Sequence, residues 1–310
     1  MKQELKNIVI HGELLFQEPL SRHTSYAIGG PAEVFVRPAN HKELAEVLRF
    51  AYNNQSPITL LGAGSNCLVH DIGVDGIVIS LAGTLDTLNI EGNKVIAEAG
   101  VMLGHLVRSC SRASLAGMEG LVGIPGTLGG ALIMNAGAHG KEISNYLTRV
   151  HTLTPDGKEK VSRRDDLQFG YRRSSFSPDE IIIKAEFLFE YGSADTIQKL
   201  RKKASKTRKA SQPLRYRSAG SVFRNPAAET SAGLLIDQAG LKGTRRGGAE
   251  ISRQHGNFFI NHGKATAEDV AYLIILASRT INQQFGIQLD LEIKPVGFNA
   301  GYWEDAGIAG

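Results

Sequence analysis

The stretch GMEGLVGIPGTLGGALIMNAGAHG, residues 117–140, sets two glycine loops around one short apolar segment. Its centre, Gly123-Ile124-Pro125-Gly126-Thr127-Leu128-Gly129-Gly130, has a counterpart upstream in Gly62-Ala63-Gly64-Ser65-Asn66, which follows the strand-like run ITLL. Glycines present backbone N–H groups without a Cβ in the way, and this suits close approach of a pyrophosphate. Tight turns alone would also account for either loop. GAGSNC lacks the third glycine of a dinucleotide fingerprint, and no acidic residue closes a following βα unit at the required distance. Neither loop ends in GK[ST], so a nucleoside triphosphatase is disfavoured.

The chain around these loops alternates short strands with helices. Asn40 is placed to cap a helix over 41–54, where Leu44, Val47, Leu48 and Ala51 recur at helical spacing. Strands are expected at ITLL, GIVISL and KVIAEA, then a helix near LGHLVRSCSRA. Strands near LTRVHTLT and EIIIKAEFLFEY enclose a polar loop that carries FGYRRSSF. A basic segment follows, and KLRKKASKTRK at 199–209 reads as a solvated helix face, because no aromatics interleave for base stacking. Pro213 ends it. Beyond it come a strand-like SVF, a helix around SAGLLIDQAG stopped by Gly240, and a longer helix ending at Gly286. Residues 287–294 alternate, with Ile287, Leu289, Leu291 and Ile293 on one face and Gln288, Asp290, Glu292 and Lys294 on the other, which predicts a last strand. The fold class is α+β, without the regular alternation of a doubly wound sheet. The boundary is placed near residue 195.

Composition narrows the function classes. A chain of 310 residues with 42% hydrophobic content supports a sizeable core divided among two or three domains. Its 35 glycines exceed the usual share of about 7% and cluster in loops. The net charge of +4 permits an anionic ligand and does not demand nucleic acid. No run approaches about 18 apolar residues, and the start MKQELKNIVIHGEL does not read as a secretory signal. Cys67 and Cys110 form no CxxC pair, so a reducing cytoplasm is the expected location. Cys67, flanked by apolar residues, is expected to be buried and inert. Nine histidines lie scattered without HExxH or a Cys/His cluster of ligand spacing, so no metal is expected. No G-x-S-x-G elbow is present.

The ordered set of motifs is more specific than any one of them. HTSYAIGGPAEVFVRP, LLGAGSNCLV, GMEGLVGIPGTLGGALIMNAGAHGKEI, FGYRRSSF, SAGSVFRNP, AGLLIDQAGLKGTRRGGAEISRQHGNFFIN and LEIKPVG occur in that order. The series closely resembles the UDP-N-acetylenolpyruvoylglucosamine reductase family over roughly residues 20 to 297. The resemblance implies an FAD-binding region of the vanillyl-alcohol-oxidase type in residues 1–195, a smaller α+β substrate-binding domain in 196–300, and a tail at 301–310. It implies the shorter of two family types, without a long insertion that closes over substrate.

It also implies a function and a site. FAD held non-covalently would reduce the enolpyruvyl ether of a UDP-amino sugar, with NADPH as hydride donor, in peptidoglycan synthesis. Ser25, Ile28 and Gly29 would lie near the flavin, while Gly62, Ala63, Gly64, Ser65 and Asn66, with Gly123, Ile124, Pro125, Gly126, Thr127, Gly129 and Gly130, would cradle its pyrophosphate. Ser221 matches the proton donor, Arg172 and Glu292 the groups that stabilise the enol or enolate, and Tyr171 and Asn225 substrate contacts. Without the motifs, Ser221 would read as a turn serine, Arg172 as a surface cation and Glu292 as a solvent-facing residue. His23, Ala63 and RYRSAGS depart from the family pattern, and Arg215 and Arg217 add charge beside the expected donor. FNAGYWEDAGIAG, residues 298–310, extends past the pattern and has no assigned role. Two other readings stand beside this one: a flavin oxidase of the same superfamily, and a non-catalytic nucleotide-sugar binder.

Overall fold

A computed structural model describes residues 2–227, 229–299, 301–304 and 307–308. The chain forms two compact units interleaved along the sequence. One contains residues 1–16, 34–63 and 76–208, and the other residues 17–33, 64–75 and 209–310. Each has its own apolar core.

In the first unit the helix His41–Asn53 forms as its spacing predicts, burying Leu44, Val47, Leu48 and Ala51. Asn40 caps it by accepting the Glu43 amide at 3.0 Å. A five-stranded antiparallel sheet runs in the order Glu159–Arg163, Leu147–Leu153, Ile181–Leu188, Lys94–Glu98, Leu88–Glu91. The strand Ile58–Leu61 pairs in parallel with Val74–Ser80. It delivers the chain directly into the first glycine loop. The helix Leu103–Arg112 buries Leu103, Leu106, Val107 and Cys110. The apolar segment between the two later glycine loops forms the short helix Leu128–Ile133.

In the second unit the helix Ala267–Phe285 is closed at both ends. Thr266 and Asp269 form a capping box, and Gly286 ends the helix at φ 67°. It covers a small sheet of Arg245–Arg246, Ala249–Ile251 and Phe259–Asn261. The strand Cys67–Val69, which leaves the first glycine loop, pairs in parallel with Lys294–Val296.

Three expectations change. The last strand occupies only Lys294–Val296, although Leu289, Leu291 and Ile293 are buried as their alternation requires. Within 287–293 only Leu291 makes a bridge, a single one to Phe223, so a period of two here marks an extended segment bonded to a loop. SVF is likewise no strand; Ser221 and Phe223 bridge singly to Phe258 and Leu291. The polar loop after LTRVHTLT contributes the strand Glu159–Arg163, whose residues are mostly exposed and carry no apolar signal. The basic segment forms the helix Ala194–Ser211, with only Ile197 and Ala204 buried, as a solvated face should be. In the tail, Trp303 and Ile308 join the second core, while 300, 305, 306, 309 and 310 lie outside the described residues.

Candidate active site

The two glycine loops meet within the first unit at Thr127. A Cβ added at Gly62 would lie 2.9 Å from the Thr127 Oγ1, and one added at Gly130 would lie 3.8 Å from it, with no other protein atom within 4 Å beyond the chain neighbours and the helix's own backbone. Residues 126–129 are clipped to the segment before them: Leu103 N–H donates to Gly126 O at 2.9 Å, Leu128 N–H to Val101 O at 2.8 Å and Gly129 N–H to Ala99 O at 2.9 Å. Thr127 is the N-cap of Leu128–Ile133, yet its side chain does not cap that helix. The result is two glycine faces without a Cβ beside an uncommitted hydroxyl, a chemistry that fits phosphate oxygens. Ile124 donates to Leu121 O, and Pro125 fixes the turn between them and the clipped segment.

Gly64, Ser65 and Asn66 fall in the second unit. The Ser25 amide donates to Gly64 O at 2.9 Å, and Gly64 adopts φ 60° with no room for a Cβ, which would stand 2.0 Å from His23 O. Ile28 is buried, and its carbonyl accepts the Thr24 hydroxyl at 2.8 Å. Gly29, at φ 139°, packs against Val69 and Leu20. His23, one of the departures, faces Glu18 at 3.0 Å.

Ser221 and Glu292 lie on two neighbouring segments of the second unit. The Glu292 N–H donates to Val222 O at 2.8 Å, and the Arg224 N–H to Asp290 O at 2.9 Å, so the two segments run side by side. The Asn66 amide donates to the Glu292 carbonyl at 3.1 Å. Asn225 is exposed and its Oδ1 accepts the Ala232 amide at 3.2 Å, at the start of the helix Ala232–Gln238. Lys294 is partly desolvated; burial first, and Arg224 second, lower its pKa.

Arg172 belongs to the first unit. It sits at φ 55°, its guanidinium donates to Gly137 O at 3.3 Å and lies over the Tyr171 ring at 5.1 Å. Tyr171 is exposed. Arg208 is desolvated and feels the Arg172 charge, and both effects, burial first, lower its pKa. Two guanidinium groups in one field beside Gly123, whose added Cβ would stand 3.1 Å from the Arg208 Cδ, favour an anion.

Three buried asparagines escaped the reading of the sequence. Asn135 donates to Glu142 at 2.7 Å and to Gly170 O at 3.2 Å. Asn257 bonds both backbone groups of Phe223, and Asn261 donates to Tyr26 O at 2.8 Å. Their signal was an amide set inside apolar or glycine-rich runs, NAGAHG and GNFFIN, where burial obliges it to find partners.

Taken with the comparisons, the fold and the bared loops define a protein with an FAD-binding domain. The family model described as FAD binding domain matches residues 32–162, and the one described as UDP-N-acetylenolpyruvoylglucosamine reductase, C-terminal domain, matches residues 212–296. Relatives named UDP-N-acetylenolpyruvoylglucosamine reductase include one from Syntrophus aciditrophicus, 42% identical over 302 residues, covering 96% of each chain. One from Caldanaerobacter subterraneus subsp. tengcongensis is 40% identical over 295 residues, 95% of this chain and 97% of its own. The crystal structure of the Thermus caldophilus UDP-N-acetylenolpyruvylglucosamine reductase matches with a TM-score of 0.79 at 36% identity, covering 92% of this chain and 99% of that one. The chain belongs to the UDP-N-acetylenolpyruvoylglucosamine reductase family.

Proposed function

We propose that Ser221, Arg172 and Glu292 carry out the chemistry of the family reaction, the reduction of UDP-N-acetylenolpyruvoylglucosamine to UDP-N-acetylmuramate for peptidoglycan synthesis. The observation that carries this reading is the bond from Glu292 N–H to Val222 O, which sets the proposed donor and the proposed carboxylate on adjoining segments. When bound, FAD supplies a hydride to the terminal carbon of the enolpyruvyl group, with NADPH as its source. Ser221 Oγ gives a proton to the neighbouring carbon, so that the π bond is lost, the C–C single bond remains and one new C–H bond forms on each carbon. A serine hydroxyl is a weak acid, and its alkoxide requires nearby donors or positive charge; Arg224, three residues on, and Lys294 supply charge on the same two segments. Arg172 opposes the charge that develops on the substrate carboxylate, with the planar fork lysine lacks. Glu292 orients and stabilises the enol form.

The glycine-loop residues, from Gly62 to Asn66 and from Gly123 to Gly130, hold the FAD pyrophosphate without a covalent link; the bared faces at Gly62 and Gly130 support this. Ser25, Ile28 and Gly29 lie toward the flavin, and Tyr171 and Asn225 toward the UDP-sugar. Cofactor binding is assigned to residues 1–195 and sugar binding to 196–300, a division supported by the matched ranges 32–162 and 212–296. Among the described residues no helix is long and apolar enough to cross a membrane. A cytoplasmic location is supported by two free, buried cysteines.

The test is Ser221→Ala in rapid mixing. NADPH should bleach the flavin at close to the wild-type rate, because no proton passes to sugar in that half-reaction. Re-oxidation by the enolpyruvyl sugar should slow by roughly two to four orders of magnitude, with partial recovery in Ser221→Cys. Near-normal re-oxidation in Ser221→Ala would assign the proton to another group.

A further inference from the structure

We infer that Asn257 is the positioning residue for Ser221: its side-chain amide stands in for a strand neighbour and fixes the turn that carries the hydroxyl. The inference rests on the proposed role of Ser221.

Residues 221–223 lie between two segments and have no ladder on either side. Toward 290–292 the bonds are backbone to backbone, Glu292 N–H to Val222 O and Arg224 N–H to Asp290 O. Toward 257–258 the backbone supplies the Val222 N–H bond to Asn257 O at 2.9 Å and the single bridge between Ser221 and Phe258. The rest comes from one side chain. Asn257 Nδ2 donates to Phe223 O at 2.7 Å, and Asn257 Oδ1 accepts the Phe223 N–H at 2.9 Å. Donor and acceptor face the N–H and C=O of the same residue, the pairing a peptide group of a neighbouring strand would offer. Asn257 is 3% exposed and Phe223 is fully buried, so water cannot replace either bond.

Asn257 is itself held. Its N–H donates to His255 Nδ1 at 3.2 Å, and Phe258 N–H donates to His255 O at 3.0 Å. The chain therefore places a fixed amide, on a fixed turn, two residues from Ser221. A proton donor must stand within hydrogen-bond reach of the carbon it serves, and a displacement of about 1 Å costs roughly a hundredfold in rate. No other side-chain amide bonds the backbone groups of Phe223 among the described residues.

The chemistry of the amide gives the test its signature. In Asn257→Asp the ionised carboxylate can accept from the Phe223 N–H but turns a second acceptor toward Phe223 O. Protonation restores one donor and one acceptor in the original places. The charged and titratable groups on the elements around it are His255 with Lys242 beside it, Asp237 on the helix Ala232–Gln238, which pairs with Lys242, and Arg224, Asp290 and Glu292 on the two segments that flank the turn. Burial first and Lys242 second lower the His255 pKa, which favours the neutral ring that accepts the Asn257 N–H. Asn257→Asp should therefore re-oxidise with the enolpyruvyl sugar roughly ten- to a hundredfold slower than wild type near pH 9, and recover most of that loss toward pH 6, whereas NADPH bleaches it normally at both. In the Ser221→Ala background Asn257→Asp should add no further loss. Asn257→Ser, too short to bond both groups, should be slow at every pH and keeps the test open if the aspartate variant does not fold. Amide hydrogen exchange on the protein as purified should accelerate at 222–224 by roughly tenfold or more, relative to the sheet strand Leu147–Leu153, in either variant.

Slow Ser221→Ala with normal re-oxidation in both Asn257 variants overturns the positioning role. So does a loss that is independent of pH in Asn257→Asp and additive with Ser221→Ala. Normal re-oxidation in Ser221→Ala itself overturns the reading beneath it, and is seen without any Asn257 variant.

Discussion

The side-chain amide of Asn66 donates to the backbone carbonyl of Glu292 at 3.1 Å, across 226 positions of sequence. Asn66 O in turn accepts the Lys294 N–H at 2.9 Å, and the parallel pairing of Cys67–Val69 with Lys294–Val296 begins there. The end of the first glycine loop is thus bonded to the segment that carries the proposed carboxylate. Asn66→Asp, which keeps the size but loses the donor, should weaken FAD binding and slow sugar reduction together. Glu292→Gln should slow only the sugar step. Flavin titration beside rapid mixing separates the two, and equal flavin affinity in wild type and Asn66→Asp would sever the link.

Arg172→Lys and Glu292→Gln should retain FAD and accept hydride from NADPH, yet reduce the sugar roughly a hundredfold or more slowly, as expected for a lost electrostatic stabiliser. Lysine keeps the charge of Arg172 but not its two parallel N–H donors. If the nicotinamide half-reaction suffers equally in either variant, the group acts on the flavin and not on the substrate.

The Arg172 turn is held from both sides, by Asn135 Nδ2 to Gly170 O and by the Ser174 hydroxyl to Ile133 O at 2.8 Å. Asn135 is fully buried at φ 41°, a left-handed conformation that asparagine tolerates better than alanine. Asn135→Ala should lose about 2–4 kcal/mol, from unpaired groups and backbone strain together. Asn135→Gly should lose about 1–2 kcal/mol less, because glycine removes the strain alone. Denaturant midpoints measure both. Equal losses would mean that the left-handed backbone carries no cost here.

Glu43, 5% exposed, accepts the amides of Ile10, His11 and Ala39. Burial pushes its carboxyl upward, but those three donors outweigh burial and hold its pKa below the ordinary carboxylate range. A depressed folded pKa gives stability that is present at neutral pH and lost as pH falls through the folded value. Glu43→Gln should cost about 1–3 kcal/mol at pH 7, and the gap from wild type should close below about pH 4. A gap that stays constant with pH would show that shape, not charge, makes the contribution.

Much of this was legible in the sequence. The helix at Asn40 was read from its cap and its apolar spacing, and the stop at Gly286 from a glycine that the left-handed turn requires. Ser221, Arg172 and Glu292 were singled out only by resemblance; nothing in their spacing brings them together. Residues 287–293 misled because alternation records which side chains are buried, not whether the backbone has a ladder partner. Glu159–Arg163 was missed for the opposite reason, since an exposed edge strand has little to bury. Asn135 and Asn257 carry only the faint signal of an amide in a glycine-rich or apolar run, because the Gly170 and Phe223 backbone groups they bond lie 35 and 34 positions away.

Burial pushes the thiols of Cys67 and Cys110 up to about 12. Neither should react with a soluble disulfide reagent at pH 8 in the folded protein, and both should react after denaturation. Rapid labelling of one thiol in the native protein would show that its segment opens.

The most direct measurement is anaerobic rapid mixing of the NADPH-reduced protein with the enolpyruvyl ether of UDP-N-acetylglucosamine, following flavin absorbance and identifying the sugar product. The flavin colour should return within the mixing experiment, with one UDP-N-acetylmuramate formed for each flavin re-oxidised. A reduced flavin that ignores the enolpyruvyl sugar and recovers its colour only when oxygen is admitted would contradict the account.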